Sequence, residues 1–72
     1  MLLLENAKKL KIGQTLHHTV HVNADGTPQR WKVNGKVKTW KSNSNRVQVP
    51  LKHGLYYYGY LTEDDLHLFN LT

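Results

Sequence analysis

The sequence predicts a mainly β fold, either a small SH3-like barrel or a strongly curved antiparallel sheet of five to six short strands with a short N-terminal helix. Three observations carry that expectation. Apolar and polar residues alternate with period two over several short stretches, Gly, Asn, Asp and Pro punctuate those stretches, and only the opening MLLLENAKKL shows helical spacing. An OB-like barrel is the next candidate and is usually longer.

In LLLENAKKL, two helical turns would place Leu3, Ala7 and Leu10 on one side, with Glu5, Lys8 and Lys9 elsewhere. So short a helix is marginal alone in water, so its leucines need a surface to cover. Ile12-Gly13-Gln14 ends the pattern. QTLHHTVHVN reads as a strand with Leu16, Val20 and Val22 in one parity. NADGTP supplies an Asp-Gly turn, and Pro28 keeps Thr27 extended.

RWKVNGKVKTWK, residues 30–41, then reads as a hairpin about Asn34-Gly35. A two-residue loop would mix apolar and cationic side chains on both faces. A three-residue loop, Val33-Asn34-Gly35 with Gly35 left-handed, instead sets Trp31 opposite Val37 and Lys32 opposite Lys36. One face is then Trp31, Val37 and Thr39, the other Arg30, Lys32, Lys36 and Lys38, with Trp40 beside the basic face. Residues 42–45 (SNSN) read as a polar loop. RVQVPLK is a strand with Val47, Val49 and Leu51 inward, and Pro50 suggests an edge or a bulge. After a turn at His53-Gly54, LYYYGYLT alternates Leu55, Tyr57, Gly59 and Leu61 against Tyr56, Tyr58 and Tyr60. Thr62 to Asp65 fits a capped helical turn, and LHLFNL closes as a last strand or a continued helix.

A chain of 72 residues is expected to be a single domain, 1–72, with the helix in 1–12 and the barrel or curved sheet in 13–72. A fold of this size buries only about 60% of its unfolded surface, so the core must be small. Without cysteine there is no disulfide framework and no thiolate zinc site, and packing, with or without self-association, must hold the fold. The opening apolar run is too short for a signal peptide, and its lysines follow the leucines instead of preceding them. Nothing later approaches a membrane span. The expectation is a soluble, unprocessed, cytoplasmic protein without a membrane partner.

Ten Lys and Arg against five Asp and Glu give a net charge of +5, unevenly spread. From Gly26 to Thr62 there is no acid, while Arg30, Lys32, Lys36, Lys38, Lys41, Arg46 and Lys52 fall there; Glu63, Asp64 and Asp65 sit together beyond. Such a field favours a polyanion, nucleic acid or an acidic protein. Lysine on exposed strands also discourages edge-to-edge aggregation, so solubility is the competing explanation.

The segments NADGTPQRWKVNGKVKTWK and RVQVPLKHGLYYYGYLTEDDLHLF resemble small uncharacterised proteins encoded by bacteriophages, in which a basic NGK hairpin precedes a KHGLY segment. The likeness covers roughly residues 13–69. It implies a phage accessory or virion-associated role, with the host cytoplasm as its location, and brings no activity and no site residues with it.

HHTVH, residues 17–21, would set His17 and His21 together on a helix, but on a strand they stand about 13 Å apart, too far for one ion. No metal site is expected, and His18 reads as a core-facing histidine with a hydrogen-bond partner. His53, beside tyrosines and lysines, has no second group with which to form an acid/base pair. No P-loop, nucleotide fingerprint or activated serine appears, so neither a cofactor nor catalysis is expected.

The function expected is therefore a small basic non-enzymatic binding protein contacting DNA or RNA. Arg30, Lys32, Lys36 and Lys38 would hold phosphates, Lys41 and Arg46 would flank them, and Trp40 would stack on a base. The alternative is a protein-interaction or virion-structural module, meeting itself or another viral or host protein through Leu3, Leu4 and Leu10 and the Tyr56, Tyr58 and Tyr60 stripe.

Overall fold

The computed structural model describes residues 1–71. They form α1 (Leu4–Lys8), β1 (Thr15–Val22), β2 (Pro28–Val33), β3 (Lys38–Trp40), β4 (Asn43–His53), β5 (Tyr57–Thr62), a 3₁₀ segment (Glu63–Leu68) and β6 (Phe69–Leu71), with all six strands in one antiparallel sheet. β4 is the spine. One of its edges pairs with β5 from Gln48 opposite Thr62 to His53 opposite Tyr57. The other takes β2 at Lys32–Lys52 and Val33–Leu51, then β3 at Lys38–Gln48 and Thr39–Val47. β2 continues to β1, and β1 to β6. β5 does not pair with β6, so the sheet curves without closing, and the curved sheet replaces the barrel.

The alternation in β4 is realised: Val47, Val49 and Leu51 are buried on the inner face, with Leu61 of β5, Val33 of β2, Leu16 of β1 and Phe69 of β6. Leu2, Ala7 and Leu10 cover that face from the N-terminal side. The expected helical face of Leu3, Ala7 and Leu10 is thus corrected at its first member. The chain is extended at Leu3 (φ −79°, ψ 148°), and the Leu2 N–H donates to the Leu66 carbonyl at 3.0 Å, which turns Leu2 inward and leaves Leu3 exposed.

The Asn34-Gly35 hairpin does not form. β2 and β3 run in line along one edge of β4, and between Val33–Leu51 and Lys38–Gln48 the residues 34–37 stand against 49–50, a wide bulge. The Asn34 N–H donates to the Pro50 carbonyl at 2.9 Å. In an extended strand a residue's nitrogen and carbonyl face the same neighbour, so the donor that Pro50 lacks is missing where the bulge asks for none. Gly35 is not left-handed; its place is tight, because a Cβ there would lie 3.2 Å from Pro50 Cγ. Consequently Trp31 stands opposite Leu16 instead of Val37, and Lys32 opposite Thr15 and Lys52 instead of Lys36. The physical reason is burial: a free hairpin would cover little beyond its own face, whereas pairing with β4 puts Val33 and half-buried Trp31 and Val37 on the common core.

β1 also departs from simple alternation. Between His17–Arg30 and Val22–Pro28, residues 18–21 stand against Gln29 alone, and Val20 within this bulge and Val22 just past it are 67% and 61% exposed, not inward. His18 holds the bulge: its Nδ1 accepts the N–H groups of Val20 (3.1 Å) and His21 (2.9 Å). The SNSN stretch is mostly strand, since β4 starts at Asn43. At the C-terminal end both readings of LHLFNL apply, the 3₁₀ segment running to Leu68 and β6 following it.

Candidate nucleic-acid interface

Residues directly opposite one another in paired strands share a face, and the register therefore assembles the outer surface, the side away from the core. One row crosses the sheet as Thr15, Lys32, Lys52 and Tyr58. Arg30 lies two residues from Lys32, and Tyr60 stands opposite Pro50, next along the same face. Thr15, Arg30, Trp31, Lys32, Lys52 and Gly54 line a shallow depression. The Lys52 ammonium lies 5.9 Å from the Tyr58 ring centroid.

A second cluster forms where β3 meets β4. Lys38 is opposite Gln48, and the half-buried Trp40 ring has the Lys38 ammonium at 5.0 Å and the Arg46 guanidinium at 4.1 Å from its centroid. Cations within about 6 Å of an aromatic face are held there by the ring quadrupole, so Trp40 organises two positive groups without an acid nearby in sequence. Trp40 indeed stands among the basic side chains. Lys36 is exposed in the bulge and Lys41 in the β3–β4 turn, outside both clusters.

Of the expected phosphate-contacting residues, Arg30 and Lys32 are brought to the depression, and Lys38 and Arg46 to Trp40. Lys36 is separated from Lys32 because the hairpin is absent. Lys52, which the sequence reading left out of the site, stands at its centre. Its outward parity with Arg46 and Gln48 was legible; its partner was not, because the β2–β4 pairing was hidden by the assumed hairpin.

The leucines proposed as an interface divide. Leu10 is buried in the chain's own core, Leu4 packs half-buried against it, and Leu3 is exposed. The tyrosines are open, with Tyr56, Tyr58 and Tyr60 at 83%, 64% and 61% exposure, but Tyr56 belongs to the β4–β5 turn and only Tyr58 and Tyr60 continue the sheet.

The histidines have structural employment. His18 is 8% exposed, and its two backbone donors fix the proton on Nε2; burial, then the neighbouring His21, lowers its pKa from the ordinary 6.5. His53 is in β4, not a turn. Its Nδ1 lies 2.8 Å from the Arg30 carbonyl and so carries the proton, leaving Nε2 to accept from the Gln29 amide at 3.2 Å. Gln29 Oε1 in turn accepts from the Trp31 indole N–H at 3.0 Å. Both ring nitrogens of His53 are engaged in holding Trp31 and the β2 backbone. Among the described residues no three His, Asp or Glu side chains gather to hold a metal, and no helix is long and apolar enough to cross a membrane. The chain matches no protein-family model, no curated protein and no solved structure.

Proposed function

We propose that this protein is a non-enzymatic binding protein, phage-encoded in origin as its resemblance suggests, whose outer sheet face takes single-stranded nucleic acid. The observation that carries the reading is the cross-strand pairing of Lys32 directly with Lys52, flanked by Arg30 and continued by Tyr58. Opposed like charges weaken a sheet, and an anion between them removes the repulsion. Phosphates would sit at the Arg30, Lys32 and Lys52 depression and at Lys38 and Arg46. The exposed rings of Tyr58 and Tyr60 and the half-buried ring of Trp40 offer surfaces on which bases stack. A grooved duplex would use the cations but leave those rings idle, which is why the single strand fits better.

The test is a salt titration of binding to a short labelled oligonucleotide. Affinity should fall with a logarithmic slope of about −0.7 per phosphate neutralised, so Lys32→Gln with Lys52→Gln should make the slope shallower by about 1.4 units. Tyr58→Ala should weaken binding by about 1 to 3 kcal/mol with the slope unchanged. Absence of binding to DNA and RNA at low ionic strength would sink the reading and return the lysines to solubility and edge protection.

A further inference from the structure

β5 is an edge strand without the usual protection. From Gly54 to Thr62 the sequence GLYYYGYLT carries no charge and no proline, and β5 pairs only with β4. β3 and β6, at the other ends of the sheet, are only three residues long. The register fixes which backbone groups of β5 remain open. Pro50 turns its carbonyl to Asn34, on the β2 side of β4, so by alternation Val49, Leu51 and His53 turn theirs to β5, where they face Leu61, Gly59 and Tyr57. The N–H and C=O groups of Tyr58 and Tyr60 therefore point to the free edge. Among the described residues no other element hydrogen-bonds to them.

From this open edge we infer that the protein pairs with a second copy of itself, β5 against β5, antiparallel about a two-fold axis at Gly59. In that register each Tyr58 meets the other copy's Tyr60 as a hydrogen-bonded pair, and the two Gly59 residues meet at the axis as a narrow, non-bonded pair. Three features select this occupant. The segment is self-complementary, because the residues with open backbone groups are the ones the two-fold matches. It is the uncharged part of a basic protein, so two copies approach there without opposing their lysines. Antiparallel pairing also carries each copy's Glu63, Asp64 and Asp65 toward the other's Lys52-His53-Gly54 end, whereas parallel pairing would set acid beside acid. The pairing joins the two outer faces: a central block of Tyr58 and Tyr60 from both protomers is bounded on each side by Lys52 and Lys32. The dimer itself requires no nucleic acid.

Sedimentation of the full chain without nucleic acid, together with cysteine crosslinking, tests the inference. Tyr60→Pro removes a donor on the free edge without touching the ladder to β4. It should leave the circular dichroism unchanged and weaken dimerisation by at least about tenfold, since the two-fold counts each lost hydrogen bond twice. Gly59→Cys should form a disulfide-linked dimer under mild oxidation, because Cα atoms of a non-bonded pair lie about 4.5 Å apart, inside the ~4.4–6.8 Å disulfide range. There is room for the new side chain, the nearest atom to a Cβ at that position being Trp31 Cζ3 at 3.8 Å. Leu55→Cys, off the axis, should not crosslink. A wild-type protein that sediments as a monomer at millimolar concentration overturns the inference. So does a dimer in which Leu55→Cys crosslinks and Gly59→Cys does not. Should Tyr60→Pro fail to fold, the crosslinking pattern alone decides.

Discussion

His18 shows how one side chain can replace a segment of ladder. Four residues of β1 lie between the ordered pairs at His17 and Val22, and their backbone donors need acceptors that β2 does not supply. The imidazole Nδ1 takes two of them. That role requires the neutral ring, and burial followed by His21 depresses the pKa below the ordinary 6.5. In the unfolded chain the ring titrates near its ordinary value. The stabilisation is therefore fully present above about pH 6.5 and is lost as pH falls below it toward the depressed value of the folded state. Thermal unfolding between about pH 7 and pH 5 should show stability declining with acidity, and His18→Asn, whose amide oxygen can accept the same N–H groups, should flatten that decline. An unchanged slope in the variant would place the acid sensitivity elsewhere.

At the scale of elements, the informative case is the in-line pair β2 and β3. The dipeptide Asn34-Gly35 is a strong hairpin signal, and nothing within residues 30–41 contradicts a hairpin. What that stretch does not contain is its partner: pairing with β4 puts Val33, Trp31 and Val37 on the core, and Pro50 on β4, with its missing donor and projecting ring, matches a bulge and not a regular pair. Local chemistry marked both positions as irregular without revealing that they face each other. Gly35→Val should destabilise by about 1 to 3 kcal/mol in chemical denaturation, through crowding against the proline ring and not through a left-handed backbone. Pro50→Ala in the same chain should restore part of the loss, since it removes the Cγ that a Cβ at position 35 would meet at 3.2 Å. Additive losses in the double variant would show the contact to be immaterial. β4, by contrast, was legible because Val47, Val49 and Leu51 alternate against polar residues and the core accepts them in that register. The valines of β1 carry the same alternation but do not turn inward, since the bulge at His18 shifts the strand and the hairpin beyond it leaves the core.

Taken whole, the molecule is elongated, 42 × 22 × 16 Å, and its core occupies one face of a single curved sheet, so the charged outer face has no second layer. Its charges were visible in the sequence as an acid-free span; their convergence was not, since it depends on β2 and β5 flanking the same stretch of β4. If Lys32 and Lys52 repel across the sheet, the double variant Lys32→Gln, Lys52→Gln should have a melting temperature at least as high as wild type at low salt, and the gap should close as salt screens the pair. A lower melting temperature in the variant would mean that the lysine stems pack against the sheet to more benefit than their charges do harm.

The meeting of β1 with β6 has a consequence for the order of assembly. The β4–β5 hairpin closes through a short turn and can form early, but Leu16 finds Leu71 and His18 finds Phe69 only after most of the chain has been gathered between them. The Leu2 N–H then waits on the Leu66 carbonyl. Such distant partners set folding speed through loop closure. On a ribosome the first strand emerges long before its last neighbour, and the edge it will offer to β6 stays unpaired until the sixth strand has been made.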